Sequence, residues 1–361
     1  MDLLECTGWW LMTAALAFAA PLAAAAQNGT PALQEVASFG HYRPIGVTVA
    51  AGSNRLFVSF PRGNPHRYAL VEVTGGRQVP FPDREWNRFV GRGDPSHFDN
   101  VHDLTSDDRN HLWVLDSDPG TPAYFKLVEI DLATDSVKRI YDFKDLPPGS
   151  ALNDVNVDTR HGLAYLSDPG LKALVVLNLA TGRSRVVMRG DSSMLAAPGF
   201  VLHLDGVDVV NEAGRPFSSD VNGIALTTDD RYLYYRAINQ SYLYRIPTRY
   251  LSDTTLSDAE ISRHVERVGR VGVSHGMIAD ARGNVYLSDS PDHAIRYRSP
   301  DGSLHTLVTD PRIIWPDSFG MGSDGFIYFS CSQINRSAGF NHGVDKTEYP
   351  YRVYRVRLPG P

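Results

Sequence analysis

The side chains of this chain best suited to chemistry stand at corresponding places in a recurring phrase. His102-Asp103, Asn153-Asp154, Asn222, His275 and Asp317 each lie at or beside the start of a short apolar run. Imidazoles titrate near neutrality, so His102 and His275 are candidate acid and base, with Asp154 as a third proton-handling group. A tautomerisation needs one group to remove a proton and another to return it, and two histidines facing each other across a channel would supply both. Asp103, Asn153, Asn222 and Asp317 offer oxygens and amides to a bound ligand, Arg236 offers a cation and Trp315 a stacking face. Asn153, Asn222 and Asp317 are also candidate oxygen ligands for a divalent metal such as calcium. Calcium takes roughly 6–8 oxygens, so water would have to fill several positions.

A plainer role competes with each of these. An imidazole at a strand start can simply satisfy backbone groups, and Asn or Asp there can cap the strand end. Asp116, Asp168 and Asp289 recur in near-identical Ser-Asp or Asp-Ser settings followed by proline, which favours a turn role. Trp86, Phe98, Trp315 and Phe319 could stack on an aromatic ligand or pack between structural units. Cys331 has no histidine fixed beside it, and a lone buried cysteine is usually inert. The chain carries no G-x-S-x-G, phosphate loop, dinucleotide fingerprint or zinc-type cluster.

The elements that must position these residues are repeats. The phrase reads VHDLTSDDRNHLWVLDSD from Val101, LNDVNVDTRHGLAYLSDP from Leu152, VNGIALTTDDRYLYYRAI from Val221, SHGMIADARGNVYLSDSP from Ser274 and PDSFGMGSDGFIYFSCSQ from Pro316. A worn first copy, IGVTVAAGSNRLFVSFPR, starts at Ile45. Each copy is strand, turn, strand, and second halves such as ALVVLNLATGRSRVVM from Ala173 alternate apolar and polar residues about a turn. Repeats of this length built from strand and turn predict an all-β, six-bladed β-propeller, with four-stranded antiparallel blades around a central channel.

With strands lettered A to D from the channel outward, A leaves the channel mouth and B returns to it. A starts and B ends should therefore converge. The two longest connections, 80–100 and 189–220, both precede an A strand and so fall on the mouth face, where long loops on a rigid scaffold carry function. Residues 32–39 should add a closing strand to the last blade, beside 351–358, sparing the ring two open edges.

Bulk properties narrow the class. Of 361 residues 42% are hydrophobic, ample for a core, and the formal charge of −6 has no basic block behind it. Nucleic acid is not an expected partner. Residues 9–26 form an apolar, Ala-rich run, and Ala24-Ala25-Ala26 before Gln27 fits an A-x-A cleavage site. We read 1–26 as a signal peptide and 27–361 as one propeller domain, although Asp2 and Glu5 stand where positive charge is usual. Pro21 and the weakly hydrophobic alanines argue against a stable span. The expectation is a secreted or periplasmic monomer with no membrane span after cleavage. Losing Cys6 with the leader leaves Cys331 alone and excludes an internal disulfide.

Three stretches carry a further signature: VNGIALTTDDRYLYYRAINQSYLYRIPTRYL (221–251), SHGMIADARGNVYLSDSPDHAIRYRSPDG (274–302) and WPDSFGMGSDGFIYFSCSQINR (315–336). They resemble the major royal jelly protein and Yellow family, and the likeness extends over nearly the whole chain after the leader. It implies a secreted six-bladed propeller. Some Yellow proteins are associated with dopachrome conversion, and some salivary relatives bind biogenic amines in the central cavity. This chain departs from the insect pattern in lacking paired cysteines. A more distant resemblance is to the senescence-marker and gluconolactonase propellers, which hold a divalent metal with Glu, Asn and Asp at the channel mouth. Asn153, Asn222 and Asp317 occupy comparable A-strand starts, but the first blade begins Ile45-Gly46, without the Glu.

The function expected is binding of a small aromatic, amine or quinone-like ligand at the channel mouth, with dopachrome-type tautomerase activity, and no cofactor is called for. The alternatives are a calcium-dependent lactonase-type hydrolase and a non-catalytic binding protein.

Overall fold

Strand A of each repeat is short, and strand B is apolar on both faces. His111–Asp118 buries Leu112, Trp113, Val114 and Leu115 in succession. Leu112 and Val114 pack towards one neighbouring sheet, Trp113 and Leu115 towards the other. A strand sandwiched between two sheets needs no polar face, so it reads as a continuous apolar run. The outermost strands alternate instead, as Ser136–Asp142 does.

The computed structural model describes residues 32–62 and 67–360. The expected signal peptide lies outside them. Six four-stranded antiparallel sheets follow one another around a common axis. Their A strands are Val47–Val49, Val101–Ser106, Val155–Asp158, Val221–Leu226, Met277–Ala279 and Pro316–Met321, which begin blades 1 to 6. This is the six-bladed propeller that the repeats predict. The sixth blade is completed by Gln34–Ser38, which pairs antiparallel with Arg352–Arg357. The first described strand thus closes the ring, as the alternating 32–39 segment implies.

Apolar clusters fill the wedges between blades, with a few buried charged groups such as Lys126 and Arg236 among them. Two short helices, Thr248–Ser252 and Asp258–Ser262, lengthen the C–D connection of blade 4. The second opens on a capping box between Ser257 and Glu260. The 189–220 connection carries its own small hairpin, His203–Leu204 with Val207–Asp208. It packs Leu202, Leu204, Val209 and Phe217 against Ile238, Val273 and Trp315. That insertion therefore roofs part of the mouth rather than projecting freely. Among the described residues no helix is long and apolar enough to cross a membrane.

Candidate functional site

One position near the start of strand A recurs in every blade: Gly46, Asp103, Asp154, Gly223, Gly276 and Ser318 in blades 1 to 6. Its neighbour is the A strand of the next blade. At two places the backbones approach too closely for any side chain, and at a third backbone and side chains together crowd the position. A Cβ at Gly276 would lie 1.8 Å from the Asp317 carbonyl oxygen, one at Gly223 2.3 Å from that of His275, and one at Gly46 3.0 Å from that of His102. At the other three a side chain bridges the gap. The amide of Val155 donates to Asp103 Oδ2 at 2.9 Å, that of Ile224 donates to Asp154, and that of Val47 donates to Ser318 Oγ at 3.0 Å. The ring of A strands is stitched by glycine approach or by a polar clamp.

The clamps leave negative charge in a poor solvent. Asp103 and Asp154 lie on one small cavity, about 70 Å³, shared with Leu104, Asn156, Met277 and Phe319. Burial raises the proton affinity of Asp103, to about 7, with Asp317 adding to it. Asp154 is held well above the ordinary carboxylate range by burial and by the charges of Asp103 and Asp317. Asp317, one residue before Ser318, is raised to about 6 by burial, against the hydrogen bond that Ser332 Oγ donates at 2.7 Å and the nearby Arg43. Neither Asp103 nor Asp154 forms a salt bridge among the described residues. Three carboxylates from three blades therefore all hold their protons more tightly than free carboxylates do, because like charges in a low dielectric cannot all ionise freely.

The two histidines are placed very differently. His102 is half-buried, leans on Asn153 and keeps Nδ1 without a hydrogen-bond partner; desolvation lowers its proton affinity. His275 is 1% exposed. Its Nε2 meets Ser290 Oγ at 2.8 Å, and Trp315 stacks on the ring at 4.0 Å between centroids. Burial, with the charge of Arg236, drives it down to about 3, so it is neutral at physiological pH. The mouth face of this ring is closed by Trp315, which is itself 2% exposed and held at φ +50°. Arg236 is fully buried, with Nε on the Ala237 carbonyl at 3.1 Å and Nη2 on those of Gly272, at 2.7 Å, and Gln240.

The structure thus brings Asp103, Asp154 and Asp317 into one electrostatic group with His102 and Asn153 beside it. It sets His275, Arg236 and Trp315 apart in a sealed layer. Asn222 stands half-buried, donating Nδ2 to Ser219 Oγ at 3.4 Å.

The profile of the major royal jelly protein family matches residues 100–357. The chain belongs to that family. Solved structures similar in fold include a luciferin-regenerating enzyme (15% identity, TM-score 0.57, 91% of this chain and 96% of that one). Another is the calcium-binding protein regucalcin from Agrobacterium tumefaciens (14%, 0.53, 91% and 96%). A third is a gluconolactonase from Xanthomonas campestris (12%, 0.53, 92% and 96%). At these identities they show the shared propeller alone. No curated protein matches.

Within this major royal jelly protein family propeller, Asn153, Asn222 and Asp317 are poorly disposed as a calcium shell. Asn153 donates Nδ2 to Asp154 Oδ1 at 2.6 Å and also supports His102, while Ile45, an apolar residue, stands where a fourth ligand would come from blade 1. Among the described residues, Asp158, His161 and Asp230 are acidic and imidazole groups close enough together to hold an ion. They lie at the A–B turns, on the face away from the mouth. Asp158 is already used there: it accepts from the His161 amide at 2.8 Å and contacts His161 Nδ1 at 2.7 Å. Asp107 and Asp280 cap their own turns in the same way, through His111 and Trp113 or Asn284 and Tyr286. A recurring turn cap accounts for the Asp158 cluster.

The remaining sequence candidates fall into packing or turns. Asp116 accepts the amides of Asp99 and Asn100 and faces Lys126 at 3.4 Å. Asp168 accepts those of Ala151 and Leu171. Trp86 packs on Phe98 under the 80–100 connection. Cys331 is buried and its thiol is pushed up to about 12. Sequence reasoning overlooked Ser318, Ser332 and Arg43. Ser318 was within reach: it stands in the column of Asp103 and Asp154 once the copies are aligned one residue further on.

Proposed function

We propose that this family member binds a small organic cation, an amine carried on an aromatic frame, with its ammonium group in the axial cavity against Asp103 and Asp154, on both of which the charge of Asp317 acts. The observation that carries this reading is three carboxylates of raised proton affinity from three blades, Asp103 buried and Asp154 and Asp317 half-buried. An ammonium ion supplies the countercharge that Asp103 and Asp154 lack and lets them ionise. Size agrees. A cavity of about 150 Å³ takes benzene, and this one, at about 70 Å³ with Asp103 and Asp154 in its wall, takes an ammonium head and not the whole ring. His102, Asn153 and Asn222 stand one residue nearer the mouth than the channel column, as hydrogen-bonding groups.

The same group supports a tautomerase step. One ionised carboxylate removes a proton from carbon, and a neighbouring carboxylic acid returns one elsewhere on the ring system, so nothing is oxidised or reduced overall. Acids poised near neutrality are suited to both halves. The roles first expected of His102 and His275 pass to Asp103 and Asp154, with His102 as a neighbouring hydrogen-bonding group. In this reading the leader directs the protein to the periplasm or the exterior, where it acts as a monomer.

Calorimetric titration with phenethylamine, and with phenethyl alcohol as neutral isostere, tests the binding. We expect the amine to bind more tightly as pH rises from 5 to 8 and Asp154→Asn to weaken it at least about tenfold, the scale of one lost charge-assisted contact. Equal affinity for the alcohol, or tighter binding at pH 5, would refute it.

A further inference from the structure

The buried layer beside the channel contains a second, oppositely charged feature that the amine reading does not use. Arg236 is the last residue but one of strand B of blade 4, Tyr232–Ala237, and His275 precedes strand A of blade 5, Met277–Ala279. Tyr234 and Met277 pack in one cluster in the wedge between these blades. Strand side chains repeat on one face every two residues. Moving one pleat towards the mouth on each strand replaces Tyr234 by Arg236 and Met277 by His275, so both enter the same wedge. The charge of Arg236 accordingly acts on His275.

Both side chains are sealed from solvent, at 0% and 1% exposed, and each keeps a nitrogen with no hydrogen-bond partner: Arg236 Nη1 and His275 Nδ1. No carboxylate pairs with Arg236 among the described residues. Asp289, whose charge reaches it, is engaged with Arg296 at 2.7 Å. The Nε2–Ser290 Oγ contact fits either tautomer; where Ser290 Oγ–H donates, the neutral ring carries its proton on Nδ1, and that nitrogen becomes a donor, the tautomer an anion beside Arg236 Nη1 selects. A buried cation without a counterion and two idle N–H donors in one wedge are costly. An acceptor bearing negative charge removes both costs at once. The surroundings define which acceptor. Trp315, Ile238 and Val273 close the layer above and Tyr234 and Met277 below, so the guest is small and sheds its water easily.

We propose that Arg236 and His275 hold a small monovalent anion, a halide ion, in the wedge between blades 4 and 5 beneath Trp315. The ion cements the 189–220 insertion over that wedge and is independent of the amine site.

Crystals of the full-length protein grown in sodium bromide, measured at the bromine edge, locate it. Thermal melts in sodium chloride or bromide against sodium gluconate at equal ionic strength give the solution arm. We expect an anomalous peak within hydrogen-bonding reach of Arg236 Nη1 and His275 Nδ1. We also expect a saturable halide-dependent rise in Tm of about 2 °C or more, following mass-action linkage. Arg236→Gln should abolish the halide dependence, and His275→Phe, which preserves the stack on Trp315, should weaken it. A wild-type Tm indifferent to halide overturns the proposal, whether the map shows water alone or bromide at crystal concentration only. The wild-type arm decides even if neither variant folds.

Discussion

Replacing His275 by phenylalanine should make the protein more tolerant of acid, by an amount the structure sets. The ring is 1% exposed, and burial first, then Arg236, lowers it from 6.5 to about 3. The unfolded chain binds a proton on this residue below about pH 6.5, whereas the folded chain refuses it until about pH 3. Stability from the neutral buried ring is therefore complete above pH 6.5 and is lost as pH falls towards 3. At 1.36 kcal/mol per pKa unit, wild type loses about 3 kcal/mol through His275 between pH 7 and pH 4. Phenylalanine retains the stack on Trp315 and forfeits the Ser290 hydrogen bond, a cost of about 1 kcal/mol that does not vary with pH.

Urea unfolding of both proteins at pH 7, 6, 5 and 4 in halide-free buffer gives the comparison. The wild-type advantage at pH 7 should shrink by about 3 kcal/mol and reverse by pH 4. The neighbouring charges do not oppose this: Arg236 remains a cation, and Asp289, which acts on Arg236 and is raised to about 6, loses its negative charge over the same interval. An NMR titration of His275 Cε1 with a midpoint near 6.5, or a free-energy difference independent of pH, would refute the reasoning. It would also return His275 to the pool of acid–base candidates beside His102.

Asp154→Asn should act in the opposite sense. Its proton affinity is raised, so its favourable contribution is complete below about pH 4 and is lost as pH rises through the elevated value; melting scans should show the variant gaining on wild type steadily from pH 4 to pH 8, and a wild-type gain with pH would contradict this. Gly276→Ala should destabilise by at least about 2 kcal/mol, since the added carbon would fall 1.8 Å from the Asp317 carbonyl oxygen; near-wild-type unfolding free energy in guanidinium would show that blades 5 and 6 do not approach as described. Cys331, buried and raised to about 12, should react with a thiol reagent no faster than the protein unfolds, and prompt labelling of the native state would contradict its placement.

The blades were legible because their signals are local. Two-residue alternation marks the outer strands, and continuous apolar runs mark those pressed between two sheets, so LWVL at 112–115 betrays a position with a neighbour on either side. The closing strand at Gln34–Ser38 could be read from alternation together with the need to cover an edge. The column of Gly46, Asp103, Asp154, Gly223, Gly276 and Ser318 was legible in principle, but its chemistry was not. Whether a side chain there clamps an amide or must be absent depends on the distance to the next blade, which no single repeat encodes. His275 and Arg236 show the limit most clearly. Their residue types and strand positions match those of an open mouth. What seals them is Trp315, 40 residues after His275, and an insertion that begins at residue 189.

The acids of the channel column are the part of this arrangement that the architecture does not require. Three of its six positions close the ring with glycine, and a fourth with serine, a neutral group donating and accepting as needed. Blades 2 and 3 could have done the same. They carry instead two adjacent carboxylates, each given an amide by the following blade and no cation, with a third from Asp317 acting on both. Such a cluster weakens the fold at neutral pH, because burial opposes its ionisation. Local choices that conflict with stability where a neutral alternative is already in use elsewhere in the same ring mark sites kept for another purpose. The conflict here sits beside the axial cavity and disappears when a cation occupies it, which is why the channel acids, rather than the more familiar-looking histidines, carry the functional reading.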